Sequence, residues 1–501
     1  MSLVKMALLF LVAHVAAALF FLFDRAPGTA AALHGLPLDD AWIHMVYARS
    51  LAALQGFAYN PGQLETGTTS PLWGVLLVPA SWAARAFGIS VVLPAKATGI
   101  LTAVAASVGA ARVARVLDLG LAVELAAGLA IAVDPALAFA QVSGMEVMLA
   151  SALALWAVAE LAADRAWPAA IAAALAPLAR PEMILLALPV LAVIEWRMHQ
   201  RDARLPPRLL VLAPLLVGVG GWMLYCLFVS GYPLPSTFYA KFSLRTEFFS
   251  HNVALILGQV LPVWPWFIRG AGFILWGLGA LVLLRRGLVG GLAAAFPVAY
   301  LLAAAGSQYM PQAWPFYWQR YLLPALPFIL LCVAAGALHV AQWAWQRRRQ
   351  AWAPLRVLAA AAVILGTISG LPSGWKSSAD LYAWNCQNID ELNVAMATWL
   401  RDHTAPGETI AVTDAGAARY FGERPIFDLL GLNNHRYLHR QRTSASDLDP
   451  VRLIATFPSF VPFLRDNPAW PPLHRVATGH LTICDCPQSE LVAYRRVEPT
   501  R

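Results

Sequence analysis

The sequence predicts an all-α polytopic membrane bundle followed by a small soluble α/β domain. Hydrophobic residues make up 59% of the 501 residues and charged residues only 13%, about half the charged fraction of an ordinary soluble protein. Apolar stretches of membrane-crossing length recur from Ala7 to Ser369, after which the pattern stops. We therefore expect residues 1–372 to form a transmembrane domain and residues 373–501 to form a soluble domain.

The distribution of basic residues predicts how the chain crosses the membrane. The first apolar stretch has no convincing cleavage site, so we expect a retained helix. If that helix runs outward and the segment 71–87 lies in the interface without crossing, every arginine cluster between spans falls on the inner side, as the positive-inside rule requires. The predicted spans, about 11, are 7–23, 94–111, 121–139, 147–163, 167–179, 183–196, 208–229, 264–284, 288–305, 321–343 and 354–372. The soluble domain then lies outside the cytoplasm, and the net charge of +8 reflects orientation and predicts no nucleic-acid partner.

The first outer loop concentrates polar residues in an otherwise apolar chain. Asp39 and Asp40 open a pattern of helical period that contains His44, and the cluster Thr68-Thr69-Ser70 follows. Asp40 could simply cap the helix that begins at Ala41. A cap leaves the second aspartate unexplained, and adjacent carboxylates raise each other's pKa or bind a cation, either of which suits a general base. Both are candidate catalytic residues, and whether they hold a divalent metal stays open.

Other ionisable residues stand at the predicted outer ends of later spans. Glu146 precedes the span 147–163, where it is either a helix cap or a functional acid at the membrane boundary. Arg180-Pro181-Glu182 interrupts an apolar run. Its arginine either pairs with the glutamate at a proline kink or faces an outer cavity that binds phosphate. We take Glu146 as a third candidate catalytic carboxylate.

Two further cations adjoin aromatic residues at outer span ends. Snorkelling toward the interface explains each of them singly. Three cations that converge with three carboxylates on one face instead suit a substrate with a phosphate leaving group and a hydroxyl nucleophile. The predicted donor and phosphate-binding residues are Arg180, Glu182, Tyr239, Lys241, Arg320 and Tyr321. The predicted acceptor or sugar-binding residues are His44, Thr68, Thr69 and Trp318, although Trp318 also fits an interfacial aromatic belt.

The soluble domain carries an alternating strand and helix pattern. Strands are predicted at 409–413 and 424–428, and a helix opens at Asp414 between them. If this domain is extracytoplasmic, Cys386 could form a disulfide with either cysteine of Cys484-Asp485-Cys486.

Short motifs along most of the chain resemble those of bacterial polytopic glycosyltransferases of the GT-C class. They are Leu38–Ile43, Asn60–Gly62, Gly67–Trp73, Ser143–Glu146, Arg180–Glu182, Leu234–Lys241, Arg320–Pro324 and Asp414–Ala417. Among such enzymes, the chain most resembles terminal arabinofuranosyltransferases of mycobacterial walls and pilin arabinosyltransferases. It is more distantly similar to protein O-mannosyltransferases and to the aminoarabinose transferases of lipid A.

The resemblance implies a site and a reaction. The acidic motif of the family's first outer loop maps onto Asp39 and Asp40, and a second acid maps onto Glu146. Family members take a sugar from a polyprenyl phosphate at the outer face of the membrane, and some bind a divalent metal whereas others need none. We therefore expect, in a bacterial inner membrane, an inverting transfer of a sugar such as arabinofuranose to a glycan, lipid or protein acceptor.

Two rival interpretations remain from the sequence. A transporter or flippase of lipid-linked sugars should have acids and broken helices near the membrane midplane, often with an internal repeat. The acids here gather instead at the predicted outer rim, and no repeat is visible. A non-catalytic partner in envelope assembly would tolerate the loss of both Asp39 and Asp40.

Overall fold

The computed structural model describes residues 1–23, 26–201, 210–241, 246–259, 266–307, 319–346, 371–437, 451–480 and 489–497. In the membrane part, the helices are α1 (Leu3–Phe23), α2 (Asp39–Ala52), α3 (Pro71–Leu76), α4 (Val78–Phe87), α5 (Val92–Val116), α6 (Leu121–Val133), α7 (Pro135–Val142), α8 (Val147–Ala162), α9 (Ala166–Ala179), α10 (Ile184–Gln200), α11 (Ala213–Ser230), α12 (Ser236–Lys241), α13 (Phe249–Gln259), α14 (Trp266–Leu284), α15 (Leu288–Ser307) and α16 (Leu326–Gln346). The tail adds α17 (Leu371–Ile389), α18 (Ala395–His403) and α19 (Ala415–Gly422). Trp318, Cys484, Cys486 and nearly all of the predicted span 354–372 lie outside the described residues.

Five helices in the described part of the chain are long and apolar enough to cross a membrane. They are α1, α5, α11, α15 and, with its preceding 3-10 turn, α16. The pair α6 and α7 is a sixth candidate, bent by 62° at Asp134, whose side chain caps α7. The chain is a multi-pass membrane protein. The remaining predicted spans coincide with shorter helices or extend beyond the described residues, so the number of about 11 stays a prediction.

Helix α8 is buried within the bundle, and its packing positions a predicted site residue. It packs against α5 and α9, and almost every one of its residues is buried. Its many alanines allow this close packing because they have no bulk beyond Cβ. The residue before its first turn is Glu146, which the packing therefore places at a fixed position near one end of the bundle.

The segment predicted as the first outer loop, and named so below, folds into α2, a small hairpin and two short helices. Strands β1 (Ala58–Asn60) and β2 (Gln63–Leu64) pair antiparallel across a turn in which Gly62 has φ 72°, a conformation that favours glycine. Helices α3 and α4 contain 6 and 10 residues, so neither crosses the hydrocarbon core alone. This is the arrangement expected of the non-spanning segment predicted at 71–87.

The C-terminal segment predicted as a soluble domain, and named so below, contains a five-stranded mixed sheet in the order β4-β3-β5-β7-β6. The strands are β3 (Ile410–Val412), β4 (Ile426–Asp428), β5 (Leu453–Thr456), β6 (Pro472–Ala477) and β7 (Glu490–Arg495). Strand β3 runs parallel to β4 and β5, whereas β7 is antiparallel to β5 and β6. The predicted strands correspond to β3 and β4, and the predicted helix after Asp414 is α19.

The soluble domain is docked onto the first outer loop. Helix α2 packs against α19, and the Asp39 carboxylate accepts the N–H groups of Gly416 and Ala417 at 2.7 and 2.8 Å. The Asn60 amide pairs with both backbone groups of Ile426 at 2.9 Å, like an added strand residue on β4. A Cβ at Gly416 would overlap the Asp39 carbonyl oxygen, so this close approach requires glycine.

Candidate active site

A cavity of about 460 Å³ lies where α2, the Thr68–Thr69 segment and the ends of several bundle helices meet. Its polar lining consists mainly of predicted site residues, namely Asp40, His44, Thr68, Thr69, Glu146, Arg180, Glu182, Lys241, Arg320 and Tyr321. These side chains come from the first outer loop, the residue before α8, the segment after α9, helix α12 and the turn before α16. These polar residues, separated by up to 281 positions in the chain, thus share one cavity.

Asp40 lies in the first turn of α2 and makes contact with two cations. Its Oδ2 atom accepts a hydrogen bond from Arg320 Nη2 at 2.6 Å and one from Lys241 Nζ at 3.3 Å. Burial alone would raise the pKa of Asp40, but the charges and hydrogen bonds of Lys241 and Arg320 outweigh burial and hold this pKa well below its ordinary value. Asp40 is therefore ionised in the unliganded cavity.

Glu146 forms a second charged cluster on the cavity wall. Its Oε1 atom accepts a hydrogen bond from Arg180 Nη1 at 2.7 Å, and its Oε2 atom lies 3.2 Å from His44 Nε2. The Arg180 and Glu146 side chains are both 5% exposed. Burial acts to raise the pKa of Glu146, but Arg180 and His44 together lower it, which keeps this carboxylate ionised as well.

Tyr321 connects the two clusters. The guanidinium carbon of Arg180 lies 5.2 Å from the Tyr321 ring centroid and that of Arg320 lies 5.1 Å from it, within cation–π range. Arg320 Nη2 also donates to the Tyr321 hydroxyl at 3.2 Å. The tyrosine thus separates two guanidinium groups that would otherwise repel each other, and both remain on the same cavity.

Two predicted site residues lie elsewhere. Asp39 does not line the cavity, because both of its carboxylate oxygens accept backbone N–H groups of α19. The predicted cap on α2 is wrong, because α2 begins at Asp39 and no side chain caps it. Asp39 instead binds the first turn of a helix in the soluble domain. Tyr239 is also absent from the lining and packs against Tyr232 and Phe238. Trp318 lies outside the described residues.

The cavity is also lined by residues that were not predicted to be site residues. They are Ile43, Thr237, Phe238, Ile184, Leu185, Tyr300 and Leu432, among others. Tyr300 is inside the apolar helix α15, where nothing in the pattern distinguishes it from a packing residue. Leu432 belongs to the soluble domain, so only its docking onto the first outer loop reveals that the domain contributes to the cavity wall.

The carboxylates of the cavity do not form an evident metal-ligand cluster. Among the described residues, no group of three or more histidine, cysteine or acidic side chains is close enough to hold a metal ion. Asp39 and Asp40 have different partners, backbone N–H groups for the first and cations for the second. The structure therefore gives the two carboxylates separate surroundings.

Comparison with solved structures identifies the architecture. ArnT from Cupriavidus metallidurans, solved with undecaprenyl phosphate bound, matches over 98% of both chains with a TM-score of 0.61 at 15% identity. The oligosaccharyltransferase AglB from Archaeoglobus fulgidus, in complex with an inhibitory peptide and a dolichol-phosphate, matches 90% of this chain and 69% of its own with a TM-score of 0.57 at 12% identity. The chain has the fold of GT-C glycosyltransferases. The resemblance read from the sequence motifs is thus confirmed at the level of the fold.

Further comparisons add little beyond the GT-C fold. Mycobacterial arabinofuranosyltransferase AftD matches 99% of this chain and 40% of its own, with a TM-score of 0.50 at 16% identity. Residues 384–485 match a family model described as a domain of unknown function, DUF8728. No curated sequence matches the chain significantly.

Proposed function

We propose that this protein transfers a sugar from a polyprenyl-phosphate donor to an acceptor hydroxyl, with inversion at the anomeric carbon. One observation supports this proposal above the others: within a GT-C fold, a carboxylate and two cations, Asp40 with Arg320 and Lys241, meet on one cavity. A transfer of this kind needs a base for the acceptor and positive charge for the departing phosphate. The ArnT and AglB structures contain polyprenyl or dolichol phosphates, which supports a donor of that class.

Arg320, Lys241 and Arg180 are the proposed phosphate ligands. All three line the cavity, and guanidinium groups bind phosphate oxygens through paired N–H donors. Their positive charge would stabilise the negative charge that develops on the leaving phosphate. The apolar residues Ile184, Leu185 and others on the same wall offer a surface for the first isoprene units.

Asp40 is the proposed general base, and donor binding would activate it. In the unliganded cavity, Lys241 and Arg320 hold the pKa of Asp40 low, so its carboxylate is a weak base. A bound phosphate would share the same two cations. Because less positive charge would then stabilise the ionised carboxylate, its basicity would rise when the donor is in place. This order of events limits proton abstraction to the loaded enzyme.

Glu146 and His44 are proposed to orient the acceptor or the sugar. Both are buried on the cavity wall. Glu146 is held by Arg180, and His44 is held by Glu146. Thr68, Thr69 and Glu182 line the same cavity and offer further hydrogen-bonding groups for sugar hydroxyls. Asp39 acts in this proposal only by holding the soluble domain in place, and that domain limits which acceptors reach the cavity through Leu432.

The proposed orientation places the cavity on the outer side of a bacterial inner membrane. Helix α8 has 16 residues and rises roughly 24 Å from Glu146 at the cavity toward Glu160. At that far end, Glu160 pairs with Arg112 at 2.7 Å and with Arg165 at 3.0 Å. Arginine at the end opposite the cavity agrees with an inner location for the arginine clusters. The motif resemblance and the likeness to AftD favour arabinofuranose as the sugar.

The proposal is tested with purified protein in nanodiscs and a panel of polyprenyl-phosphate sugars, each with candidate glycan, lipid and protein acceptors. We expect release of free polyprenyl phosphate with at least one donor, together with a glycosylated acceptor of inverted anomeric configuration. Reconstitution in sealed vesicles tests the rival interpretation. Movement of an intact donor between leaflets without its cleavage would identify a flippase and contradict the transferase proposal.

A further inference from the structure

A second cavity lies on the other face of α2, outside the site described above. Its volume is about 790 Å³, and it is bounded by α2, the β1–β2 hairpin, α4 and the last turn of α19. Asp40, Ile43 and His44 face the catalytic cavity, whereas Trp42, Val46 and Arg49 line the second one. This alternation follows from the helical period, which separates the two sets around the helix axis. We name this second cavity the α2–α4 groove.

The α2–α4 groove carries an excess of positive charge. Arg49, Arg85 and Arg419 line it, and Glu423 is the acidic residue of its lining. Burial lowers the pKa of Arg49 and of Arg419 from the ordinary value, and the neighbouring Arg49 lowers that of Arg419 further. Glu423 opposes this effect only in part. The positive charge in the groove is therefore incompletely neutralised by the described protein groups.

Several donor groups in the groove have no protein partner in the part of the chain that the structure describes. Arg419 is 9% exposed, and it donates to the Tyr59 carbonyl through Nε at 2.9 Å, which leaves its terminal amino groups for another acceptor. The indole N–H of Trp42 and the hydroxyl of Ser81 are buried without a hydrogen-bond partner. Buried polar atoms of this kind ordinarily find a partner, so Trp42 and Ser81 leave unmet hydrogen-bonding capacity in the groove wall, beside the terminal amino groups of Arg419.

The surroundings of the groove point to the membrane surface. Helix α4 lies in the segment predicted to be interfacial, and its Trp82 and Phe87 side chains are 54% and 77% exposed. Exposed aromatic residues at such a helix suit the boundary between headgroups and acyl chains. The exposed Arg85 stands on the same helix. At this boundary a lipid headgroup presents its phosphate ester, an anion that arginine side chains bind well.

We propose that the α2–α4 groove binds the phosphate ester of an anionic phospholipid headgroup, at a site separate from the catalytic cavity. Arg419 and Arg85 bind the phosphate oxygens, and Trp42 and Ser81 stand beside them in the groove wall. Because the groove lies between α4 and α19, a bound lipid would hold the first outer loop and the soluble domain at the membrane surface. This binding does not depend on the proposed transfer reaction.

Native mass spectrometry of the purified full-length protein tests this site. Phosphatidylglycerol and phosphatidylcholine with identical acyl chains are titrated into the wild type and the variants. We expect preferential retention of phosphatidylglycerol, and about tenfold weaker retention in Arg419→Gln, the loss of one charge-assisted contact. Because Arg419 also bonds to Tyr59, the double variant Ser81→Ala/Arg85→Gln, whose side chains have no hydrogen bonds to other described residues, provides a second test with the same direction of change.

Two controls locate the effect. Arg465→Gln removes an exposed arginine of the soluble domain that does not line the groove, and it should retain the lipid like the wild type. Equal retention of both lipids, or an equal loss in Arg465→Gln, would overturn the proposal. So would a loss that occurs in Arg320→Gln and not in the groove variants, because the lipid would then occupy the catalytic cavity. If glycerol 1-phosphate displaces the bound phosphatidylglycerol, the groove recognises the phosphate ester itself. If phosphatidylglycerol is preferred and glycerol 1-phosphate does not displace it, the groove binds the phosphate only as part of a membrane lipid.

Discussion

The Asp40→Asn variant is expected to transfer sugar about 10²–10⁴-fold more slowly than the wild type. Asparagine fills the same space and can still accept from Arg320 and Lys241, but it cannot take a proton from the acceptor hydroxyl. Donor binding should be retained because the cations that hold the phosphate remain. The measurement is the initial rate of polyprenyl phosphate release at saturating donor, with the donor affinity measured separately.

Two comparisons make the Asp40 result specific. Asp402→Asn neutralises a partly exposed aspartate on α18 and should leave the rate unchanged. Asp39→Asn weakens the cap on α19 and should lower thermal stability with a much smaller effect on the chemical step. The assignment of the base to Asp40 would be wrong if Asp39→Asn abolished transfer while Asp40→Asn remained active.

The Glu146→Leu variant is expected to lower the free energy of unfolding by about 3–5 kcal/mol, because it leaves the Arg180 guanidinium charged and buried without its main partner. Glu182 Oε2 lies 3.7 Å from Arg180 Nε and is more exposed, so it offsets only part of this loss. The measurement is the melting temperature of detergent-solubilised protein followed by tryptophan fluorescence, which should fall clearly below that of the wild type.

A double variant distinguishes the stability contributed by the Glu146–Arg180 ion pair from the cost of leaving one charge buried alone. Glu146→Leu/Arg180→Leu removes both charges and should recover most of the lost melting temperature, since replacing a buried ion pair by apolar groups is often close to neutral. Glu490→Gln is the matched surface control. It breaks the exposed pair with Arg475, and such pairs contribute at most about 1 kcal/mol. An unchanged melting temperature in Glu146→Leu would contradict the structural importance of the buried pair.

Much of the candidate active-site cavity was predictable from the sequence because its charged residues interrupt apolar stretches. Glu146, Arg180, Lys241 and Arg320 each stand at the end of a hydrophobic segment, where an ionisable residue is unusual and visible. The positive-inside rule, applied to the arginine clusters between the predicted spans, predicted that these ends lie on one side of the membrane. Their convergence on one cavity is what the structure adds.

The different roles of the two adjacent aspartates could not be read from the sequence. Consecutive residues on a helix project about 100° apart, so Asp39 and Asp40 reach different surroundings. The partner of Asp39 lies 377 residues further along the chain, and no local pattern indicates such a contact. Tyr300 was missed for a related reason, because an aromatic residue inside an apolar helix is most often a packing residue.

The soluble domain was only partly predictable. Strands β3 and β4 carry short apolar runs next to turn residues, which is the usual strand signal. Strand β6 is largely exposed and contains a proline, a histidine and an arginine, so its pattern does not stand out from a loop. Its pairing with β7 provides the hydrogen bonds that make it a strand.

One cavity joins Asp40 to the cations that are proposed to bind a prenyl-linked phosphate. An electron cryomicroscopy structure of the protein in nanodiscs with undecaprenyl phosphate would show where that phosphate lies. We predict phosphate density in the cavity, with an oxygen about 3 Å from a nitrogen of Arg320, Lys241 or Arg180 and the isoprenoid chain leaving along the Ile184–Leu185 wall. Phosphate density at another place, with this cavity empty, or a cavity that opens to the cytoplasmic side would contradict the account.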